Sequence, residues 1–460
     1  MQKIKEYFVG KKITVMGLGL LGRGMGDAKF LAEMGAEVTV TDLKTEAELA
    51  ASVANLREHK NVTFVLGEHR LEDFADKDFI LVAAGVPADS PYLRHASEAG
   101  VPLKQSAAWF AELSRVPVIG VTGTRGKSTV THMIHHVLFE VTGEEILLGG
   151  NIRGVSNLQL LKRVKDDSLC VMELDSWQLQ GWGWAKMSPQ IAVFTNFMED
   201  HLNYYQTGDL SKEEALQRYF ADKANIFKYQ EDSGVLVTTP EVFERAKSLS
   251  KVSLGQEVIL VDGSTLPKDL PLMLPGEHNR LNAALAYEAL KAISLTDEEI
   301  FPALTTFSGV EGRLQYLKEY KGVKIYNDNN ATTPIATVKA LEALGDKDNK
   351  KIILIAGGAD KNIDASEILA KAEQYCKEVI LLPGTGTDKI IPKLKKSSLK
   401  WRVTEGELGE DVMREAVKAG LAGGQPGDIL LFSPGFASFG LFKNEYERND
   451  EFVKAVGNLQ

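Results

Sequence analysis

The stretch VIGVTGTRGKSTVTHMIHHVL, Val118–Leu138, passes from an apolar segment through a glycine-rich turn into a helical pattern. The turn GTRGKST, Gly123–Thr129, thus follows an expected strand and opens an expected helix, the context a phosphate-binding loop requires. Glycines let backbone amides approach phosphate oxygens, and a helix N-terminus adds partial positive charge. Gly123, Thr124, Gly126, Lys127, Ser128 and Thr129 are therefore candidate nucleotide contacts, with Lys127 placed for the β/γ-phosphates and Ser128 for Mg²⁺. The strict G-x-x-x-x-G-K-[ST] spacing puts a glycine where Val121 stands; here the glycines fall at Gly120 and Gly123. His132, His135 and His136 follow at helical spacing but lack the H-E-x-x-H pattern, so packing or surface roles are expected.

A chain of 460 residues exceeds one core and, at about 100–200 residues per domain, predicts three domains. The net charge of −10 excludes a broad nucleic-acid surface, so phosphate groups must be held by local cations and backbone amides. Cys170 and Cys376 are isolated, with no disulfide framework or zinc cluster, which suits a reducing cytoplasm. The N-terminal MQKIKEYFVGKKI lacks the apolar core of a signal peptide. The longest apolar stretch, ILLFSPGFASFGLF, is broken by Pro434, so no membrane span is expected. A cytoplasmic monomer follows as the expectation.

Working outward from the loop, short β-rich runs alternate with helical patterns, which predicts an α/β fold with parallel sheets. One set is KITVMG, AEVTVTD, VTFVLG and DFILVAAG; a second is PVIGVTG, SLCVMELDS and QIAVFTNF. The third is VKIYNDNN, KIILIAGG, EVILLPGTG and DILLFSPG. They divide the chain near 110 and 310, giving expected domains 1–110, 111–310 and 311–460.

GLGLLG, with Gly17, Gly19 and Gly22, follows the first run, and Asp42 ends the second. Alone this is a dinucleotide fingerprint, which keeps an NAD-dependent oxidoreductase as a distant alternative. Little more than 110 residues precede the second loop, which suits a single nucleotide-sugar diphosphate better. AAGVP, Ala83–Pro87, offers Gly85 at another strand end, suited to close backbone approach. Glu173 ends the apolar SLCVME, where a carboxylate can hold Mg²⁺.

In one order along the chain, GTRGKST, GGNI, MELDSWQL, NFMEDHLNYY, RYFADKANIF, GEHNRLNAALA, GVEGRLQ, YNDNNATTP, GGADKN and SFGLFKNEYERNDEF resemble the motifs of the Mur ligase family. The resemblance covers essentially the whole chain. It implies three α/β domains: an N-terminal Rossmann-like parallel sheet for a UDP substrate, a central P-loop-type ATPase domain, and a C-terminal Rossmann-like domain for the incoming amino acid. It is strongest for the branch that adds D-glutamate to UDP-N-acetylmuramoyl-L-alanine in peptidoglycan precursor synthesis. The implied reaction is ATP-dependent: a carboxylate becomes an acyl phosphate and an amine displaces phosphate. Two Mg²⁺ sites are implied, with Ser128, Glu173, His201 and a carbamylated Lys223 as ligands. By the same resemblance Asn282 and Arg313 contact ATP, and Asp328 its ribose. Leu20, Leu21, Asp42 and Lys44 take the uridine diphosphate, and Asn151 and Gln178 the muramoyl-alanine part. Thr332, Lys361, Ser438 and Phe439 take the amino acid.

Three departures stand out. Asn330 replaces a lysine usual in the family, Asp175 replaces a serine, and Glu445 stands where an aromatic residue is usual. Asp175 is expected to alter metal binding. Glu445 leaves open a sister ligase adding L-glutamate or another amino acid.

Overall fold

The computed structural model describes residues 1–19, 22–249, 257–360, 364–406 and 409–459. Three sheets follow one another along the chain, and the fold is α/β throughout. The first is wholly parallel, with β1 (Lys12–Met16), β2 (Glu37–Asp42), β3 (Val62–Leu66), β4 (Phe79–Val82) and β5 (Leu103–Lys104) in the order β3-β2-β1-β4-β5. The chain reverses its direction of growth between β1 and β4, the place where open α/β sheets bind ligands.

The second sheet is also parallel. It contains β6 (Val118–Thr122), β7 (Leu147–Gly150), β8 (Cys170–Glu173), β9 (Ile191–Phe194), β10 (Val235–Thr238) and β11 (Glu257–Leu260), ordered β11-β10-β9-β6-β8-β7. Every residue of β6 is buried, as a strand covered on both faces requires.

The third holds β12 (Gln315–Tyr320), β13 (Val323–Asn327), β14 (Ile352–Gly357), β15 (Cys376–Leu382), β16 (Trp401–Val403) and β17 (Ile429–Phe432), ordered β12-β13-β17-β14-β15-β16. It departs from the all-parallel expectation: β12 runs antiparallel to β13. Lys321 (φ 51°) and Gly322 (φ 82°) make the two-residue turn between them, and positive φ at both positions matches the strand twist of a hairpin.

The chain divides into two compact units, Met1–Lys268 with Leu281–Leu304, and Asp269–Arg280 with Thr305–Gln460. Within the first, one apolar cluster runs from Phe8 and Phe30 through Trp109 to Leu174 and Phe194, so the first two sheets share a core. Position 110 falls inside the helix Ser106–Ser114, whose Trp109 and Phe110 are fully buried. Among the described residues no helix is long and apolar enough to cross a membrane.

Candidate active site

The phosphate loop leaves β6 at Thr122 and enters the helix Lys127–Thr142, with Gly126 as N-cap at φ 82°. The segment after β9 clamps it. Thr124 N donates to Asn196 O at 2.9 Å, Arg125 N donates to Asn196 Oδ1 at 2.9 Å, and Met198 N donates to Thr124 Oγ1 at 3.0 Å. A Cβ at Gly123 would lie 1.9 Å from Thr195 Oγ1, and one at Gly126 would lie 2.4 Å from Asn282 Oδ1. Gly123 is therefore demanded by packing and by its φ of 143°, Gly126 by its φ of 82°, and buried Asn282 borders the loop. Lys127 Nζ donates to the carbonyl oxygens of Gly123 (3.1 Å) and Thr124 (3.2 Å). His132, His135 and His136 bond backbone carbonyls of Ser128, Ile146 and Ala303, which makes them packing residues.

Acidic and basic groups converge behind this loop. Strand register sets Glu173 beside Val121, and the carboxylate is 4% exposed. Lys223, 1% exposed, donates from Nζ to Gly123 O (2.8 Å) and Thr122 Oγ1 (3.3 Å) and lies 5.0 Å from the Tyr219 ring centre. Burial drives its pKa well below the ordinary lysine value, and the like charge of Lys127 adds to the effect. His201 sits at φ 54° between the rings of Trp177 (4.8 Å) and Tyr219 (5.6 Å). Burial lowers its pKa, and the charges of Lys223 and Lys127 act the same way, which places those groups in one neighbourhood.

Among the described residues no three His, Cys, Asp or Glu side chains form a metal cage. The Ser128 hydroxyl and Glu173 carboxylate are hard oxygen donors, the kind Mg²⁺ takes alongside water and substrate phosphates. A cationic Lys223 does not fit beside a metal ion, whereas its carbamate does. Asp175 has a local task the sequence did not suggest. Its Oδ1 accepts Gln178 N at 2.8 Å, and the two residues form a capping box on the helix Ser176–Ala185. It remains near enough to raise the pKa of Lys223 and of His201.

A cavity of about 750 Å³ opens at the carboxyl ends of the first sheet, lined by Gly17, Gly19, Asp42, Lys44, Gly85 and Gln178 among others. The Asp42 carboxylate pins the glycine loop. Its Oδ2 accepts Leu18 N (2.9 Å) and Gly19 N (3.2 Å), and its Oδ1 accepts Lys44 N (2.9 Å). Asn151 bridges to the metal-type carboxylate: its Nδ2 donates to Glu173 Oε1 at 3.2 Å and its backbone N to Glu173 O at 2.7 Å. Leu20 and Leu21 lie outside the described residues.

In the second unit, Asp328 follows β13. Its Oδ1 accepts Leu314 N at 3.0 Å and its Oδ2 accepts the Ser433 hydroxyl at 2.7 Å. Burial raises its pKa from 3.8 to about 7. Arg313 is exposed, Thr332 half-buried, Ser438 buried and Phe439 62% exposed. Lys361 lies outside the described residues. Asn330, in the lysine's place, donates to Glu311 O at 3.2 Å. Glu445 begins the helix Glu445–Gly457, where an acid in the first turn is favourable, and its carbonyl accepts Asn329 Nδ2 at 2.9 Å.

Residues 11–104 match the Mur ligase MurD-like N-terminal domain, 121–253 the Mur ligase middle domain, and 312–436 the Mur ligase glutamate ligase domain. The chain belongs to the Mur ligase family. Family membership makes it an ATP-dependent amino-acid ligase. Its relatives include the UDP-N-acetylmuramoylalanine–D-glutamate ligase of Borreliella afzelii, 34% identical over 97% of each chain. The protein of the same name from Geobacillus kaustophilus is 34% identical over 97% of this chain and 98% of its own. Among solved structures, UDP-N-acetylmuramate–alanine ligase of Thermotoga maritima matches with a TM-score of 0.56 and 21% identity, over 97% of this chain and 99% of its own. The MurF ligase of the same organism, in complex with ADP, matches at 0.51 and 15% identity, over 98% and 96%. These two likenesses concern the fold.

Several structural partners of this Mur ligase were missed from sequence. Asn196, which holds both ends of the Thr124–Arg125 turn, opens the quoted stretch NFMEDHLNYY directly after β9 but was not singled out there. Arg448 lay inside the quoted stretch SFGLFKNEYERNDEF but was not singled out there. It is 0% exposed, with Nε donating to Asn329 Oδ1 (2.8 Å), Nη2 to Asn329 O (3.0 Å) and Nη1 to Phe436 O (3.0 Å). It fastens the loop before Thr332 to the segment before Ser438.

Proposed function

We propose that this Mur ligase adds D-glutamate to UDP-N-acetylmuramoyl-L-alanine at the expense of ATP, in cytoplasmic peptidoglycan precursor synthesis and as a monomer. The observation that carries the reading is the convergence of Lys127, Glu173 and buried Lys223 on a glycine loop, with Asn151 joining Glu173 to Arg23 in the lining of the cavity of about 750 Å³. That its relatives are D-glutamate ligases supports the choice of glutamate.

The proposed division gives residues 1–110 to the UDP substrate, 111–310 to ATP and 311–460 to the amino acid. Backbone amides of Gly123–Thr129 and the Lys127 ammonium hold the ATP phosphates, with Asn282, Arg313 and Asp328 at the nucleoside end. Gly85, Asp42 and Lys44, together with Leu20 and Leu21, hold the uridine diphosphate. Asn151 and Gln178 orient the muramoyl-alanine carboxylate towards the loop. Thr332, Lys361, Ser438 and Phe439 hold glutamate. Mg²⁺, when bound through Ser128, Glu173, His201 and carbamylated Lys223, neutralises charge as two anions approach.

A carboxylate resists an amine because its leaving group is poor. Its oxygen therefore attacks the γ-phosphorus, ADP departs, and the glutamate amine attacks the resulting acyl phosphate and expels phosphate. Lys127 stabilises the charge that develops on the transferred group. Phosphate release in the presence of ATP, Mg²⁺, UDP-N-acetylmuramoyl-L-alanine and a panel of D- and L-amino acids tests the assignment. Release with D-glutamate alone is expected. Release with L-glutamate alone assigns the sister activity, and release indifferent to the amino acid rejects the reaction.

A further inference from the structure

We infer that Arg23 is a positioning residue that couples a diphosphate at the first glycine loop to the carboxylate of Glu173. The inference rests on the reading of those two sites given above. Arg23 was not singled out by its sequence. It opens the helix Arg23–Glu33 directly after Gly22, which is at φ 79°, and it lines the cavity beside Gly17, Gly19 and Asp42.

Its Nη1 donates to Asn151 Oδ1. That single bond settles how the Asn151 amide is turned. An amide has one carbonyl end and one NH₂ end, and with the oxygen facing a guanidinium the nitrogen must face the other way. The other way is Glu173, whose Oε1 accepts Asn151 Nδ2 at 3.2 Å. The backbone leaves no slack in this arrangement. Gly150 pairs in register with Glu173, and a Cβ on Gly150 would lie 2.0 Å from Glu173 O. Guanidinium, amide and carboxylate therefore form one series from the cavity to the metal-type carboxylate.

The helix that carries Arg23 is itself tied down. Asp27, one turn further on and 4% exposed, accepts the Ser156 hydroxyl at 2.6 Å and Leu158 N at 3.1 Å. Gln159 Nε2 donates to Gly26 O at 3.1 Å. A Cβ on Gly26 would lie 2.6 Å from Ser156 Cβ, so the helix is in close contact with the segment that follows Asn151. These contacts hold the backbone of Arg23 beside Asn151 and leave the diphosphate to order its side chain.

A guanidinium has five N–H donors in a fixed fork, enough for an amide oxygen and a phosphate oxygen together. A diphosphate at the glycine loop orders Arg23, Arg23 fixes the Asn151 amide, and the amide fixes Glu173. Coupling between ligands is reciprocal, so Mg²⁺–nucleotide at the Lys127 loop tightens diphosphate binding by the same factor. Lysine cannot replace arginine here, because one ammonium does not span both acceptors.

The test is calorimetric titration of the full chain with the Mg²⁺ complex of a non-hydrolysable ATP analogue, with and without saturating UDP, and the converse titration. In the wild type each ligand should tighten the other by roughly 5-fold or more. In Arg23→Met the nucleotide at the Lys127 loop should still bind alone as in the wild type, UDP should bind alone more weakly, and the coupling between them should be lost with the melting temperature little changed. Arg23→Lys, the gentler change should methionine prevent folding, should also lose most of the coupling. Wild-type binding of both ligands without coupling, or coupling retained in either variant, overturns the inference. Failure of the wild type to bind either ligand overturns the functional reading and the inference with it.

Discussion

Lys223 Nζ lies 2.8 Å from the carbonyl oxygen of Gly123, the oxygen that Lys127 Nζ also approaches, at 3.1 Å. Two ammonium groups thus meet at one acceptor, and only Lys127 retains partial contact with solvent. Burial and this like charge both favour the neutral amine of Lys223. A neutral amine can attack carbon dioxide, lose a proton and become a carbamate anion, which turns an unfavourable cation into a metal ligand.

Carbamylation of Lys223 is therefore expected. Protein equilibrated with isotopically labelled bicarbonate should show one carbamate carbon resonance, absent in Lys223→Arg. That variant keeps a cation in the pocket and should lose about 10²-fold or more in turnover, as for removal of one preorganised electrostatic group. A full-strength Lys223→Arg enzyme would refute the role.

Lys127→Ala should lose at least roughly 10²-fold in turnover, because the transferred phosphoryl group loses its positioned cation. Steady-state rates at saturating ATP check this. Near-normal turnover would remove Lys127 from the chemistry.

Gly123 is required sterically as well as by its φ of 143°. Gly123→Ala should destabilise the first unit by about 1–3 kcal/mol and weaken nucleotide binding, since its Cβ meets Thr195 and a side chain is strained at that φ. Thermal melts and nucleotide titrations read the two effects separately. A variant with unchanged melting and unchanged affinity would contradict the packing described.

Asp328 gives a signed pH dependence. Its folded pKa is raised by burial from 3.8 to about 7, so the folded state holds a proton that the unfolded state releases. The associated stability is fully present below 3.8 and is lost as pH rises through about 7. Asp328→Asn mimics the protonated group and keeps an acceptor for Leu314 N. The variant's melting temperature relative to wild type should rise between about pH 4 and about pH 7, the window between the unfolded and the folded pKa, and then level off. A difference that stays constant with pH would contradict the assignment.

What could be read from the sequence followed the strands with marked ends. β1, β2, β4, β6 and β8 close on Gly17, Asp42, Ala83, Gly123 and Glu173, and their apolar runs stop at the residues that line the sites. Short strands such as β5, Leu103–Lys104, carry too few residues for any period to show. The antiparallel β12 was missed because Gln315–Tyr320 is half-buried along most of its length, without a clean alternation. Partners distant in the chain were also beyond reach. Asp42 was visible as a strand-end acid, but its bonds to the Leu18 and Gly19 amides depend on β1 and β2 being neighbours. The Asn151–Glu173 contact likewise depends on β7 lying beside β8. Arg448 runs against the usual placing of arginine on the surface, and is accommodated because carbonyl and amide oxygens accept from all three of its nitrogens.

In the proposed reaction a carboxylate of the UDP substrate is made reactive by the γ-phosphoryl group of a nucleotide held at the Lys127 loop. The most direct measurement places a heavy-oxygen label in the alanyl carboxylate of UDP-N-acetylmuramoyl-L-alanine and follows it by mass spectrometry after turnover with ATP, Mg²⁺ and D-glutamate. One labelled oxygen should appear in the released phosphate, and the product should carry one added glutamyl residue. Product formed with unlabelled phosphate, or phosphate released with no glutamyl product, would contradict the account.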